Sequence, residues 1–157
     1  MKNIYILCGV QGSGKSTYAK NNKDILKAKI VSTDQIRKDY PLKEIDVFPK
    51  AFSLIKEYLL EGYNVIFDAT NINKEKRKEN LEGIFSYVNR NEVKLICICL
   101  NTNKDLCKER VNLRNNLTNE LYLPLNVIDN YFLMFEKPTL SEGFDEIIFI
   151  DGEKIGI

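Results

Sequence analysis

Five short apolar runs punctuate the chain, at Asn3–Cys8, Lys29–Ser32, Asn64–Asp68, Val93–Leu100 and Glu146–Ile150. They are rich in Ile and Val and nearly continuous in apolar character. Strands covered on both faces of a parallel sheet read this way, because neither face alternates with solvent. Between the runs the apolar period changes to three and four. Pro49–Leu60 carries Phe52, Ile55 and Leu59, with Gly62 placed to end it. Asn73–Val88 carries Leu81, Ile84, Phe85 and Val88, with Asn73 as its cap. Thr102 to about Asn115 opens with Thr102-x-x-Asp105, close to a capping box. Pro124–Glu136 carries Val127, Ile128, Tyr131 and Phe135, with Pro124 near its first turn. One more helix is expected to start near Lys15. Repeated strand–helix units predict a three-layer α/β fold: a mainly parallel five-stranded sheet with right-handed crossovers and helices on both faces. Residues 1–157 fit a single domain. Asn115–Leu123 is polar and aperiodic, so a lid of helix and loop is expected over about 103–123.

Composition narrows the chemistry more than the fold. Apolar content is 44% and charged content 29%, ordinary for a globular domain. No apolar run approaches the roughly 20 residues of a membrane helix. Met1-Lys2-Asn3 leads straight into the first strand and leaves no room for a signal peptide, so a cytoplasmic protein is expected. Histidine is absent, which excludes Ser-His-Asp and Cys-His machinery and the usual imidazole metal ligand. A general base here is therefore a carboxylate, and a metal is a hard cation held by oxygen, such as Mg²⁺. Cys8, Cys97 and Cys99 lie in apolar runs, and none of the four cysteines (Cys107 is the fourth) forms a Cys-x-x-Cys pair. They read as buried free thiols. A net charge of +1 argues against a broad surface for duplex nucleic acid, but leaves room for a short single strand in a local basic groove.

The most specific pattern follows the first run. Gly9-Val10-Gln11-Gly12-Ser13-Gly14-Lys15-Ser16 fills the template of glycine, four residues, then glycine-lysine-serine, in the strand–loop–helix context it requires. Its glycines let the backbone approach phosphate without Cβ clashes. Its N–H groups and the following helix N-terminus attract the anion. Lys15 reaches the β and γ phosphates, and the Ser16 hydroxyl can ligate Mg²⁺. The expected ligands are thus ATP, or another nucleoside triphosphate, and Mg²⁺.

Three further segments fall at strand ends or on one helix face. Asp34, after the second run, would face the same crevice, and a carboxylate there can take the proton of an attacking hydroxyl. Arg37 shares its helical face and could hold an anionic part of the acceptor; equally, Asp34 could be a helix cap with Arg37 as its i,i+3 partner. Val65-Ile66-Phe67-Asp68 has the form of a Walker B strand, its carboxylate near Mg²⁺ through water, or else a simple strand-end cap. Arg110 and Arg114 are helical neighbours with no acidic residue three or four positions away, and an incoming polyphosphate would relieve their repulsion. As solvated surface arginines they would need no ligand.

In this order the motifs resemble the polynucleotide-kinase-like group of P-loop kinases, with zeta toxins as more distant relatives. Gly9–Thr17 is similar to the group's phosphate loop, and Ser32-Thr33-Asp34-x-x-Arg37 to its acceptor motif. Asp68-Ala69-Thr70-Asn71 followed by Arg77 resembles its Asp-x-Thr-Asn segment. Arg110 and Arg114 fall where the lid arginines lie, and Pro138-Thr139 with Glu142–Ile147 resembles the stretch before the last strand. The resemblance implies an ATP- and Mg²⁺-dependent kinase acting on a hydroxyl, first of all the 5′-OH of DNA or RNA. It implies Asp34 as the base, Arg37 as the group that holds the acceptor's phosphate, and Asp68, Thr70, Asn71 and Arg77 at the substrate. The group also includes kinases of nucleosides and other small molecules, and Asn115–Leu123 carries no basic residue. From another class, a nucleotide-switched ATPase or binding protein would share the loop but needs no acceptor base.

Overall fold

The computed structural model describes residues 1–117 and 121–155. Strands β1 (Lys2–Cys8), β2 (Ala28–Ser32), β3 (Asn64–Asp68), β4 (Val93–Asn101) and β5 (Glu146–Asp151) form one sheet in the order β2-β3-β1-β4-β5. Every pairing is parallel. The helices are α1 (Lys15–Asn22), α2 (Thr33–Asp39), α3 (Glu44–Leu60), α4 (Lys74–Phe85), α5 (Lys104–Asn115) and α6 (Leu125–Met134). Among the described residues, no helix is long and apolar enough to cross a membrane.

The three central strands are buried on both faces, as their continuous apolar character predicts. Ile4, Ile6, Val65, Phe67 and Leu95 pack on one side against Ala51, Phe52 and Ile55 of α3 and Leu81 and Ile84 of α4. Tyr5, Leu7, Ile66 and Ile98 face the other side and meet Ala19 of α1. A third cluster joins α5 and α6 to the phosphate loop and to the segment after β3, through Val10, Ile72, Cys107, Val111 and Ile128. All four cysteines are free and buried. Burial pushes Cys107 up to about 11, so it stays a thiol.

The structure departs from the sequence expectation at four boundaries. β5 is not covered on both faces: it is an edge strand, with Ile148 and Phe149 exposed. Its apolar residues match an inner strand in composition, but no further element packs outside it. α3 begins at Glu44, five positions before Pro49, which lies in its second turn and cannot donate to the carbonyl of Ile45. The added turn is anchored by Val47, buried in the core. α5 is capped by Asn103, whose side chain accepts from Leu106 N at 2.8 Å. Thr102 instead donates to the carbonyl of Ser13 at 2.8 Å and ties β4 to the phosphate loop. α4 ends at Phe85 rather than Val88, though Val88 N still bonds the carbonyl of Ile84.

Arg77 of α4 is the largest fully buried side chain. Its Nε donates to Glu142 Oε1 at 2.6 Å and its Nη2 to Glu142 Oε2 at 3.3 Å; its Nη1 donates to the carbonyl of Asn71 at 2.9 Å. Glu142 also accepts from Thr139 N at 2.7 Å, in a capping box that precedes β5. One guanidinium thus joins α4, the end of β3 and the approach to β5. Glu142→Gln should leave it without a counter-charge and cost about 2–4 kcal/mol. The check is a lower urea midpoint at unchanged slope; an unshifted midpoint would refute the strut.

Candidate active site

The carboxyl ends of β1, β2 and β3 open into one cavity of about 1050 Å³. Gln11, Gly12, Gly14, Lys15, Ser16 and Thr17 line it from the phosphate loop and α1. Asp34 and Arg37 line it from α2, Asp68, Thr70 and Asn71 from the end of β3, and Arg110 and Arg114 from α5. Gly9, Val10 and Ser13 lie behind this surface. Val10 packs into the third core cluster, and the buried Ser13 hydroxyl has no hydrogen-bond partner among the described residues.

The loop is shaped by close backbone approach. Gly12 takes φ +82°, and a Cβ on it would lie 2.5 Å from the carbonyl oxygen of Cys107 in α5. Gly14, at φ +107°, occupies the N-cap of α1 and leaves the first N–H groups of the helix without a side-chain cap. Those groups are the donors that an anion satisfies. Lys15 is buried and folds back to donate to the carbonyls of Gly9 at 2.9 Å and Val10 at 3.2 Å. Burial lowers its pKa, against the raising effect of Asp68 first among nearby charges.

Ser16 Oγ donates to Asp68 Oδ2 at 2.8 Å. Burial raises the pKa of Asp68, opposed by Lys15 and by this hydrogen bond. A hydroxyl and a carboxylate meeting beside a phosphate cradle are the hard oxygen donors Mg²⁺ takes, along with water and phosphate oxygens. Among the described residues, no group of three or more His, Cys, Asp or Glu side chains is placed to hold a metal ion. Ser16 and Asp68 are the residues that could hold such a cation.

Asp34 and Arg37 line the same cavity from α2. Ser32, not Asp34, caps α2, accepting from Gln35 N at 3.2 Å. Asp34 Oδ1 accepts from Arg37 Nη1 at 2.7 Å. The i,i+3 pairing with Arg37 is thus present, the cap is Ser32, and the Asp34 carboxylate lines the cavity.

The two lid arginines differ. Arg110 is buried and donates to the carbonyls of Gly12 at 3.2 Å, Gly152 at 3.0 Å and Ile155 at 2.7 Å. Main-chain acceptors thus supply the partners that no local acid provides, while the residue still lines the cavity. Arg114 lines the cavity, and its side chain makes no hydrogen bond or ion pair among the described residues. Arg77 is displaced from its expected place at the substrate: it is fully buried and absent from the cavity wall. Asn71 does line the cavity, at φ +48°, but its amide is spent on the carbonyl of Leu7 at 2.8 Å and on Asn80 at 2.7 Å. The centre of the expected lid loop, residues 118–120, lies outside the described residues. On its flanks, Asn115 exchanges two hydrogen bonds with the main chain of Leu123.

Sequence reasoning missed several wall residues. Phe48, Tyr122 and Tyr131 bring aromatic faces, and Lys20, Lys23 and Lys76 bring cations. Phe48 went unseen because it precedes the proline taken as a helix start. The lysines carry no local motif. Gly12→Ala should abolish nucleotide binding and cost about 1–3 kcal/mol, through positive φ and the clash with Cys107. Gly62→Ala has open space at φ +97° and should lose stability without losing nucleotide. Thermal melts with and without nucleotide separate the two; a Gly12→Ala protein that still binds ATP would contradict this geometry.

A family model described as an AAA domain matches residues 4–138. Among solved structures, Kti12 of Chaetomium thermophilum in complex with ADP-AlF3 aligns at 15% identity and TM-score 0.71, over 97% of this chain and 94% of that one. A sugar kinase from Janibacter sp. HTCC2649 aligns at 14% and 0.68, over 98% and 87%. A fungal RNA kinase aligns at 20% and 0.66, over 99% and 75%. At these identities the structures show a shared fold, while the family match covers most of the chain. The chain belongs to this AAA-domain family.

Proposed function

We propose that this protein is an ATP- and Mg²⁺-dependent kinase that phosphorylates a hydroxyl group. The observation that carries the reading is the one cavity that the phosphate loop, the Ser16–Asp68 pair and Asp34 line together. A nucleotide switch needs no carboxylate facing its phosphates. Lys15 would exchange its loop carbonyls for phosphate oxygens, and the α1 N-terminus would hold the same anion. Ser16 and Asp68 would hold Mg²⁺, which supplies charge neutralisation on the phosphates. Asp34 would accept the proton of the acceptor hydroxyl, with Arg37 fixing its carboxylate. Arg114 would meet the transferring phosphoryl group, while Arg110 keeps Gly12 in place. Positioning and charge stabilisation are most of what such transfer requires.

For the acceptor, the 5′-OH of DNA or RNA is the first reading. The family supports it, as do lysines and aromatic faces in the cavity wall, which suit a short single strand. A nucleoside or other small molecule is the second. The observation favouring it is that Arg37 is already held by carboxylates.

Transfer from γ-labelled ATP with Mg²⁺ tests the proposal, offering 5′-hydroxyl oligonucleotides beside nucleosides and sugars. Lys15→Ala and Arg114→Ala should each lose about a hundredfold or more in rate. Asp34→Asn should lower turnover about 10²–10⁴-fold with ATP affinity nearly unchanged. A fully active Asp34→Asn protein would remove the base. Label in an oligonucleotide, bound in a salt-sensitive way, establishes the first reading; label only in a small molecule establishes the second. ATP binding with no transfer to any acceptor would sink the kinase proposal.

A further inference from the structure

Arg37 is engaged on two sides. Beyond its bond to Asp34, Nε donates to Glu44 Oε1 at 3.1 Å and Oε2 at 3.0 Å, and Nη2 donates to Oε1 at 2.6 Å. The fork of the guanidinium, the edge that would grip a phosphate, is closed on a carboxylate of the protein itself. Glu44 is the first residue of α3, where the helix dipole favours a negative charge whether or not Arg37 is present. Two carboxylates thus share this one guanidinium, and Lys38 is a further cation in the wall beside it. Glu44 is 69% exposed, so its grip on Arg37 can be broken.

We infer that Glu44 determines acceptor specificity: it occupies the anion-binding edge of Arg37 and selects hydroxyl acceptors with no phosphate beside the reacting hydroxyl. The inference rests on the reading that Asp34 and Arg37 form the acceptor end. A phosphate next to the hydroxyl must strip Arg37 from Glu44 and then sit beside the displaced carboxylate. An uncharged neighbour makes no demand on Arg37, and Asp34 stays held for its proton; between the two acceptor readings, the inference therefore favours a nucleoside or other small molecule over the 5′-OH of a strand. Lysines in the wall attract anions at longer range, so the effect lies in the difference between variants rather than in any absolute affinity.

The probe is inorganic phosphate, titrated into the full chain saturated with Mg²⁺ and ADP so that the phosphate loop is filled. The readout is the Arg37 Nε–H resonance. In Glu44→Gln it should respond at about one-tenth of the phosphate concentration the native protein needs. Glu44→Asp, which keeps the charge, should behave nearly as the native protein. A purely structural role for Glu44 would move stability in both variants and not the phosphate midpoint in one. Equal midpoints for native and Glu44→Gln overturn the inference, and so does a Glu44→Gln protein whose Arg37 ignores phosphate. Because no phosphoryl transfer is read, a kinase assay that fails beside a shifted midpoint refutes the function and not the selectivity.

Discussion

All five strands run in one direction, and the site depends on that constraint. A parallel sheet brings the carboxyl ends of its strands to one edge, where the chain must leave each strand for a crossover. Register does the rest: Ser32 lies beside Asp68 across β2 and β3, so the segment that carries Asp34 and the Asp68 carboxylate emerge as neighbours although far apart in sequence. Cys8 lies beside Cys99 across β1 and β4, which launches the phosphate loop next to the start of α5. Reversing β1 or β3 would carry Ser16 and Asp68 to opposite edges of the sheet and part that pair.

The molecule treats its buried charges in two ways. Arg77 is wholly satisfied, by a carboxylate on one edge and a carbonyl on the other, and this makes it a fixed joint. Lys15 is satisfied only by carbonyls of its own loop, and Asp68 only by a hydroxyl. Carbonyls are weaker partners for an ammonium than phosphate oxygens are. Burial drives the pKa of Lys15 down and that of Asp68 up, so each bears a desolvation cost that a phosphate and its cation can relieve. Arg77 thus belongs to the frame, while Lys15 and Asp68 have capacity left for a ligand.

The sequence was most readable where the signal is local. Strand positions came from continuous apolar runs, and the phosphate loop from glycine chemistry that no other residue can supply. The long-range partners were not readable. Nothing in the text of the chain says that Arg77 points inward to Glu142, or that Arg110 finds three main-chain oxygens. Both carry the charge of a ligand-binding residue, and only packing separates strut from ligand contact. Pro49 misled for a local reason: proline is a good first-turn signal, but the buried Val47 pulls the preceding turn into the helix. β5 misled because apolar content reports what a strand is made of and not whether something covers it.

Arg110 links the phosphate loop to the far end of β5. It holds the carbonyls of Gly12, Gly152 and Ile155 at once, and Ile155 packs its side chain toward Gly14. β5 is the most exposed strand of the sheet, the kind of element that frays first in native-state fluctuations. Fraying at its end would withdraw two of the three acceptors of Arg110 and slacken the loop. By thermodynamic linkage, a ligand that tightens the loop tightens the end of β5 in return. Amide exchange along an edge strand that touches no phosphate would then report occupancy of the nucleotide site.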